Sequence, residues 1–173
     1  MTEQHLWEPE VGRSVAFTGH RNYDRHPLAE PAALERTAEE LYRRGMRIFY
    51  SGMAAGFDLA AAECVLRLRA RHGDVRLVAA IPCPGQADRF PAAERMRYRR
   101  IVERADYQVV VCEENGASSY LARDRYMVDR SGLVVAFYDG SKGGTHYTVH
   151  YARRLGREVV NLCPDPQLSL ALE

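Results

Sequence analysis

The stretch at residues 133–155, LVVAFYDGSKGGTHYTVHYARRL, decides the fold. Its first part, residues 133–138, is apolar without alternation, which is typical of a strand covered on both faces in a parallel sheet. Residues 139–145 then supply three glycines, and a helix is predicted at 147–154. Glycines let the backbone adopt positive φ and approach a ligand closely, and free N–H groups at a helix start can hold a phosphate. The turn is therefore either a phosphate-type ligand site or an ordinary connecting loop.

Strand-like and helix-like segments alternate along the whole chain. The predicted strands are residues 14–18, 47–51, 75–81, 107–112, 133–138 and 158–163. The predicted helices before the last one are residues 31–44, a helix opened by Asp58, residues 91–105, and a helix capped by Ser118 or Ser119 that runs to about Arg130. The alternation has no linker or repeat. It predicts one domain over residues 1–173, with a core at about 13–164, folded as a doubly wound, mostly parallel sheet in a three-layer α/β/α sandwich.

Composition narrows the classes of protein that fit. The chain has 173 residues, a net charge of +1 and 27% charged residues, so no global field marks a nucleic-acid or membrane binder. Cys64, Cys83, Cys112 and Cys163 are far apart, which favours buried free thiols in a reducing cytoplasm over zinc or disulfides. The N-terminal residues 1–13 do not resemble a signal peptide, and no run has the length of a membrane span. We expect a soluble, cytoplasmic protein without a metal site, in which the tail at 164–173 has no strong pattern.

Two further loops follow predicted strands at their carboxyl ends, where ligands gather in open α/β sheets. The first carries TGHR at residues 18–21, in which His20 and Arg21 belong either to a site or to a plain loop. The second carries SGMAAGFD at residues 51–58, with glycines that bracket a tight turn before Asp58. The expected role of Asp58 is that of helix N-cap. Neither glycine turn matches the dinucleotide fingerprint or the P-loop.

Three helical side chains are candidates for a polar pocket. Glu63 falls on the apolar stripe of its helix, so its carboxylate needs a partner or a ligand. Asp124 also lies in a largely apolar stripe and is predicted to pair with a basic group such as Arg21 or with a ligand hydroxyl. Arg123 lies beside that face, near enough to reach a pocket.

The predicted helix at residues 91–105 is rich in arginine, at positions 95, 97, 99, 100 and 104. Such a run is either a solvated face or a surface for phosphate or nucleic acid. Few exposed aromatic residues accompany it, so stacking platforms for single strands are not evident.

Four motifs together resemble the YpsA-type members of the SLOG superfamily. They are TGHR at 18–21, SGMAAGFDLAAAE at 51–63, RYMVDRS at 125–131 and GGT at 143–145, and the resemblance spans residues 14–164. The superfamily joins the Rossmann-like domain of DprA to the LOG phosphoribohydrolases. The resemblance implies a Rossmann-like fold that binds nucleotides or nucleotide-derived ligands, with the second and fifth loops forming the phosphate site. It also implies that homodimers or larger assemblies are common.

Departures from the related enzymes bear on catalysis. The catalytic arginine of the LOG enzymes, four residues before a methionine, is matched by Arg123. Their glycine motif runs on as G-T-x-x-E, and the same spacing reaches Thr148 here, so the acidic half of the pair is missing. YpsA-like proteins often carry Arg-Asn where this chain has Arg123 and Asp124. Glu63 and Asp124 are the candidates to replace the absent acid.

The resulting prediction is a protein that binds or senses a nucleotide-derived ligand, such as an ADP-ribose-like compound, without turning it over and with no certain cofactor. The alternatives are a hydrolase of the N-glycosidic bond in nucleoside monophosphates and a DprA-like binder of single-stranded DNA, although nucleic acid is the less expected partner. Catalysis, if present, would fall to Arg123, Glu63 or Asp124. The predicted ligand- or phosphate-binding residues are Gly19, His20, Arg21, Ser51, Gly52, Met53, Ala54, Gly56, Asp58, Arg123, Asp139, Gly140, Gly143, Gly144, Thr145 and Thr148.

Overall fold

The computed structural model describes residues 10–164. The predictions for residues 1–9 and for the tail after residue 164 lie outside the described residues. The strands are β1 (Ser14–Gly19), β2 (Ile48–Ser51), β3 (Arg76–Ile81), β4 (Tyr107–Val110), β5 (Leu133–Phe137) and β6 (Glu158–Asn161). The helices are α1 (Pro31–Arg43), α2 (Phe57–His72), α3 (Ala92–Arg104), α4 (Ala117–Asp129) and α5 (Gly144–Arg154).

All six strands form one parallel sheet in the order β4-β3-β2-β1-β5-β6. Ala16 in the central strand β1 pairs with Tyr50 of β2 on one side and with Val134 of β5 on the other. The chain builds outward from β1 to β4 and then crosses back to place β5 on the opposite side of β1. Strand order therefore reverses between β1 and β5, which is the switch point where open α/β sheets bind ligands. The predicted α/β sandwich is confirmed, and the sheet is wholly parallel.

Alternation along the strands divides the core into two layers. In β1, Val15 and Phe17 point to one face and Ala16 to the other, as the two-residue period of a strand requires. On the first face the sheet packs against α1, α2 and α3, and on the second against α4 and α5. The first layer contains Phe57, whose ring meets that of Phe17 at 6.2 Å between centroids. Two helical layers around a central sheet give the three-layer sandwich.

Helix starts differ from the predictions at three places. Asp58 is not an N-cap, because α2 begins at Phe57 and its N-cap is Gly56, with φ of 83°. Neither Ser118 nor Ser119 caps α4, which begins at Ala117 after an N-cap at residue 116. Helix α5 begins at Gly144 and not at residue 147. In each case glycine takes the cap position.

The cysteine prediction holds where the structure tests it. Within residues 10–164 all four cysteines are free thiols, three of them buried and Cys112 partly buried. No helix in the described part of the chain is long and apolar enough to cross a bilayer, the longest being α2 with 16 residues.

Candidate functional site

A cleft of about 1100 Å³ opens at the carboxyl edge of the sheet, beside the switch point. It lies where the loops after β1, β2 and β3 meet the first turns of α4 and α5. The predicted site residues that line it are Gly19, His20, Arg21, Ala54, Asp58, Arg123, Asp124, Gly143, Gly144 and Thr145. The fold thus brings both glycine loops and the TGHR loop to one cavity.

A second groove of about 740 Å³ runs along α1 and reaches Leu41 and Val160. Seven of its ten lining residues are charged, and none of the predicted site residues is among them. The site is therefore sought in the cleft at the carboxyl edge.

Gly52 does not line the cleft itself but lies against Arg123, Gln86 and Asp58, the lining residues that form the cleft floor. Its carbonyl oxygen accepts hydrogen bonds from Nη1 of Arg123 and from Nε2 of Gln86, the latter at 2.7 Å. A methyl group built on its Cα would lie 2.6 Å from Nη1 of Arg123 and 2.8 Å from Oδ2 of Asp58. No side chain fits there, so glycine is needed for close approach and not for an unusual φ.

Three ionisable side chains are buried together at this floor. The exposed fractions are 4% for Arg123, 6% for Asp124 and 5% for Asp58. Nε of Arg123 donates to Oδ1 of Asp124 at 2.7 Å. The predicted basic partner of Asp124 is therefore confirmed, but it is the neighbouring Arg123 and not the suggested Arg21, whose Cζ lies 5.9 Å from the ring centroid of Tyr120.

Burial sets the protonation of the two carboxyl groups. It raises the pKa of Asp58 to about 7, against the opposing effect of Arg123. Burial also raises the pKa of Asp124, and here the Arg123 guanidinium and the Thr148 hydroxyl partly offset the effect. Two carboxyl groups are thus buried near one guanidinium, which donates a direct hydrogen bond to Asp124 and affects Asp58 only through its charge.

Thr148 stands next to the carboxylate of Asp124. Its hydroxyl is fully buried and lies 2.8 Å from the carbonyl of Gly144, within reach of Asp124 as well. A Cβ on Gly144 would lie 4.0 Å from Oδ2 of Asp124 and within 4 Å of no other atom outside its own local chain. A carboxyl group from α4 therefore occupies the space beside the first turn of α5.

Asp139 anchors the glycine loop that precedes α5. Its Oδ1 accepts the backbone N–H of Ser141 at 2.9 Å and the Ser141 hydroxyl at 2.6 Å. Nδ1 of His26 accepts the N–H of Leu28, so Nε2 carries the proton and donates to Oδ2 of Asp139 at 3.2 Å. These bonds, led by that of the Ser141 hydroxyl, keep the pKa of Asp139 well below its usual range.

The same loop is tied to the end of β1. Nε2 of His20 lies 3.0 Å from the backbone nitrogen of Asp139 and 2.8 Å from its Oδ1. Positive φ occurs at Gly140 (94°) and Gly143 (148°) but not at Gly144, which is already helical. Gly144 therefore has no need of glycine's backbone freedom, and the one atom that a Cβ there would meet is Oδ2 of Asp124.

Several predicted residues stand behind the cleft and shape its walls. Met53 has φ of 60°, an uncommon value for a residue other than glycine. Its N–H donates to the hydroxyl of Ser51, which itself donates to the carbonyl of Asp58. At Gly56 a Cβ would come within 2.3 Å of the carbonyl of Arg21, so the second loop packs directly on the first.

Glu63 is not at the cleft, and its prediction as a replacement acid is wrong. It faces α3 and forms an ion pair with Nε of Arg97. Arg97 also contacts Asp24 at 3.0 Å and Glu94 at 3.4 Å. This network joins α2 to α3, so one of the five arginines of α3 has a structural role.

The sequence prediction missed the third wall of the cleft. It is formed by Gln86, whose bond to Gly52 is described above, and by Asn115, whose Oδ1 accepts the N–H of Gly85 at 3.0 Å. Tyr120 adds an aromatic face, with the Cζ of Arg123 5.6 Å from its ring centroid. The position of the segment PCPGQ could have indicated this wall, because the segment follows β3 and must reach the same sheet edge.

The fold and cleft define a Rossmann-like α/β protein with a polar cavity at the switch point. The family model of the YspA SLOG family matches residues 15–159. The chain belongs to this family, so the resemblance to YpsA-type proteins is confirmed.

Curated relatives lie in the same group. The uncharacterised SPbeta prophage-derived protein YoqJ of Bacillus subtilis is 34% identical over 143 residues, which cover 75% of this chain and 81% of YoqJ. The UPF0398 protein BH1768 of Halalkalibacterium halodurans is 26% identical over 125 residues, covering 70% of this chain and 66% of the relative.

Solved structures share the fold. DNA processing protein A (DprA) of Streptococcus pneumoniae superposes with a TM-score of 0.61 and 20% identity over 86% of this chain, which spans about half (49%) of that protein. DprA of Helicobacter pylori, studied for its single-stranded DNA binding mode, superposes with a TM-score of 0.58 and 20% identity. The match covers 87% of this chain and 65% of that protein. The solved structure of TM1055 superposes with a TM-score of 0.53 and 15% identity, covering 85% of this chain and 72% of its own.

Proposed function

We propose that the cleft binds a phosphorylated, nucleotide-type ligand, with its anionic group at the first turn of α5. The observation that carries this proposal is the convergence of two glycine loops on one cavity beside the switch point. Belonging to a superfamily that includes DprA-like and LOG-like proteins agrees with it but does not specify a ligand.

The anion subsite is built from backbone. Helix α5 has 11 residues, its N-cap is Gly143, and no side chain of the described chain caps it. Its first turn holds no acidic residue of its own, and the N–H groups of Gly144, Thr145 and His146 precede the first intrahelical bond, so they can bind an anion. Arg21 and Arg89 add exposed positive charge at the rim.

The cleft also has room and surface for a base. Its volume of about 1100 Å³ is at the upper end of small-molecule sites. Tyr120 and Phe90 both line it, and aromatic faces are the surfaces on which nucleobases stack. A nucleotide therefore fits the cleft in size and in chemistry.

Binding without rapid turnover is the form of the proposal that the polar groups favour. Arg123 is held by the Gly52 carbonyl and by Asp124, and the carboxyl groups of Asp58 and Asp124 are both buried. Thr148 provides a hydroxyl where an ionised acid would be needed. The cleft is arranged to hold a ligand.

Isothermal titration calorimetry with AMP and ADP-ribose tests the proposal, with a short single-stranded DNA oligomer titrated in parallel because of the likeness to DprA. We expect saturable binding of at least one of the two nucleotides at micromolar to millimolar concentration. Binding heat from the DNA alone would contradict nucleotide binding and support a DprA-like function. No heat from any of the three would overturn it.

A further inference from the structure

Two oxygens at the floor of the cleft have no hydrogen-bond donor among residues 10–164. They are Oδ1 of Asp58 and Oε1 of Gln86. Both side chains line the cleft, and they are only 5% and 3% exposed. A buried acceptor without a donor is unfavourable, so a donor supplied by a ligand would stabilise the folded protein as well as the complex.

The orientation of the Gln86 amide is fixed by its neighbour. A carbonyl oxygen cannot donate, so the group of Gln86 that faces the Gly52 carbonyl at 2.7 Å must be the NH₂. Turning the amide over would set two acceptors against each other. Oε1 is therefore the free end of the side chain, and it can only accept.

The two carboxyl oxygens of Asp58 likewise differ in whether they have a partner. Its Oδ2 accepts the backbone N–H of Ala54 at 3.3 Å, while Oδ1 has no partner. The Arg123 guanidinium does not fill this gap, because its bonds run to Asp124 and to the Gly52 carbonyl. Each of the two side chains thus has one polar atom held by the protein and, above about pH 7 where Asp58 is ionised, one acceptor left over.

The distribution of charge in the cleft indicates where the anionic and the hydroxyl groups of a ligand would bind. The floor holds the carboxyl groups of Asp58 and Asp124 with only Arg123 between them, so it disfavours phosphate and favours hydrogen-bond donors. The N–H groups at the start of α5 and the rim arginines favour an anion. A ligand that meets both needs hydroxyl groups at one end and a phosphate at the other.

We infer that Asp58 and Gln86 accept hydrogen bonds from the hydroxyl groups of a ribose, so that the cleft selects ribose phosphates over their 2-deoxy counterparts. The inference rests on the proposed function and adds the sugar to it. Both oxygens are covered by the protein, so contact with the hydroxyls requires the two side chains to rotate. The loss of one hydroxyl that donates to such an acceptor lowers affinity about tenfold.

The test is a calorimetric comparison, at about pH 8 where Asp58 is ionised, of ribose 5-phosphate with 2-deoxyribose 5-phosphate on the wild type, Asp58→Asn and Gln86→Leu. Asp58→Asn keeps the shape but replaces one acceptor by a donor, and Gln86→Leu removes the acceptor. The matched control is Asp88→Asn, a carboxylate exposed at the rim of the same cleft.

We expect the wild type and the control to prefer the ribose compound about tenfold, and at least one floor variant to lose that preference while binding the deoxy compound as the wild type does. The unchanged affinity for the deoxy compound shows that the variant is folded. Equal binding of the two sugars by the wild type, or a preference that persists in both floor variants, overturns the inference and leaves phosphate binding intact. Binding of neither sugar phosphate by a protein that binds AMP overturns this inference alone, whereas the absence of AMP and ADP-ribose binding overturns the proposed function.

Discussion

Arg123 donates a hydrogen bond to the backbone carbonyl of Gly52, across 71 residues of sequence. The bond fastens α4 to the loop after β2, and the same carbonyl receives the amide of Gln86 from the loop after β3. The Gly52 carbonyl thus joins three segments of the chain at the floor, and the buried Arg123 cation supplies one of its two bonds and also binds Asp124.

Replacing Arg123 tests how much its side chain contributes to the free energy of unfolding. Arg123→Met removes the bonds to Gly52 and Asp124 and leaves two carboxyl groups buried without a positive partner. Breaking a buried ion pair in this way costs about 3–5 kcal/mol. We expect urea unfolding at pH 7 to show a loss of this size.

The control is Arg125→Met on the same helix, where the side chain is exposed and bonded to the Tyr147 hydroxyl. Its unfolding midpoint should stay close to that of the wild type. Similar losses in the two variants would mean that Arg123 acts as an ordinary helix residue.

Asp58 makes stability depend on pH in a defined direction. Its pKa is raised from 3.8 to about 7, so the folded protein binds a proton more tightly than the unfolded chain. The resulting stabilisation is complete below the unfolded pKa and is lost as pH rises through about 7. Asp58→Asn has no such proton, so its stability relative to the wild type should increase from pH 4 to pH 8, by at most about 4 kcal/mol.

Thermal melts of both proteins at one-unit pH intervals measure this difference. Glu103→Gln, an exposed carboxylate on α3, should follow the wild type at every pH. A stability difference between Asp58→Asn and the wild type that does not change with pH would show that Asp58 is ionised at every pH tested.

Gly144→Val separates the ligand role of the loop from its folding. Gly144 is helical without positive φ, and a Cβ there meets only Oδ2 of Asp124 at 4.0 Å, so a side chain can begin there without backbone strain. Its branches cover the N–H groups of the first turn, and we expect AMP affinity to fall at least tenfold, about 1.4 kcal/mol.

Arg153→Val places the same side chain on an exposed position of the same helix and controls for helix propensity. Both variants should melt within a few degrees of each other. Unchanged affinity in a folded Gly144→Val would remove the anion from this turn.

Hydrolysis of nucleoside monophosphates is expected to be very slow. The loss of a positioned acid or base commonly costs about a hundredfold to ten-thousandfold in rate, and Thr148 is not acidic near neutral pH. Release of free base from AMP should stay near the uncatalysed level, and Glu63→Gln should change nothing because Glu63 is paired with Arg97 away from the cleft. Rapid turnover that disappears in Asp124→Asn would identify Asp124 as the acid and contradict binding without catalysis.

The sequence alone predicted the strands of the sheet and two of the walls of the cleft. It failed where the role of a side chain depends on which neighbour it contacts in the folded protein. Unbroken apolar runs such as Leu133–Phe137 identify buried parallel strands, and the topology then carries Gly52 and Gly143 to one edge. A helical stripe does not say which neighbour covers it, so Glu63, which packs against α3, was placed at the site. Gln86 was missed because its loop has no paired glycines and its role comes only from contact with Gly52.

The most direct test of the cleft as a nucleotide site is an amide chemical-shift titration of the ¹⁵N-labelled protein with AMP. We expect saturable changes that are largest at the backbone N–H groups of Gly143, Gly144, Thr145 and Ala54, with none along the α1 groove at Leu41 and Val160. Saturable changes confined to that groove, or the absence of any change at millimolar AMP, would contradict the account.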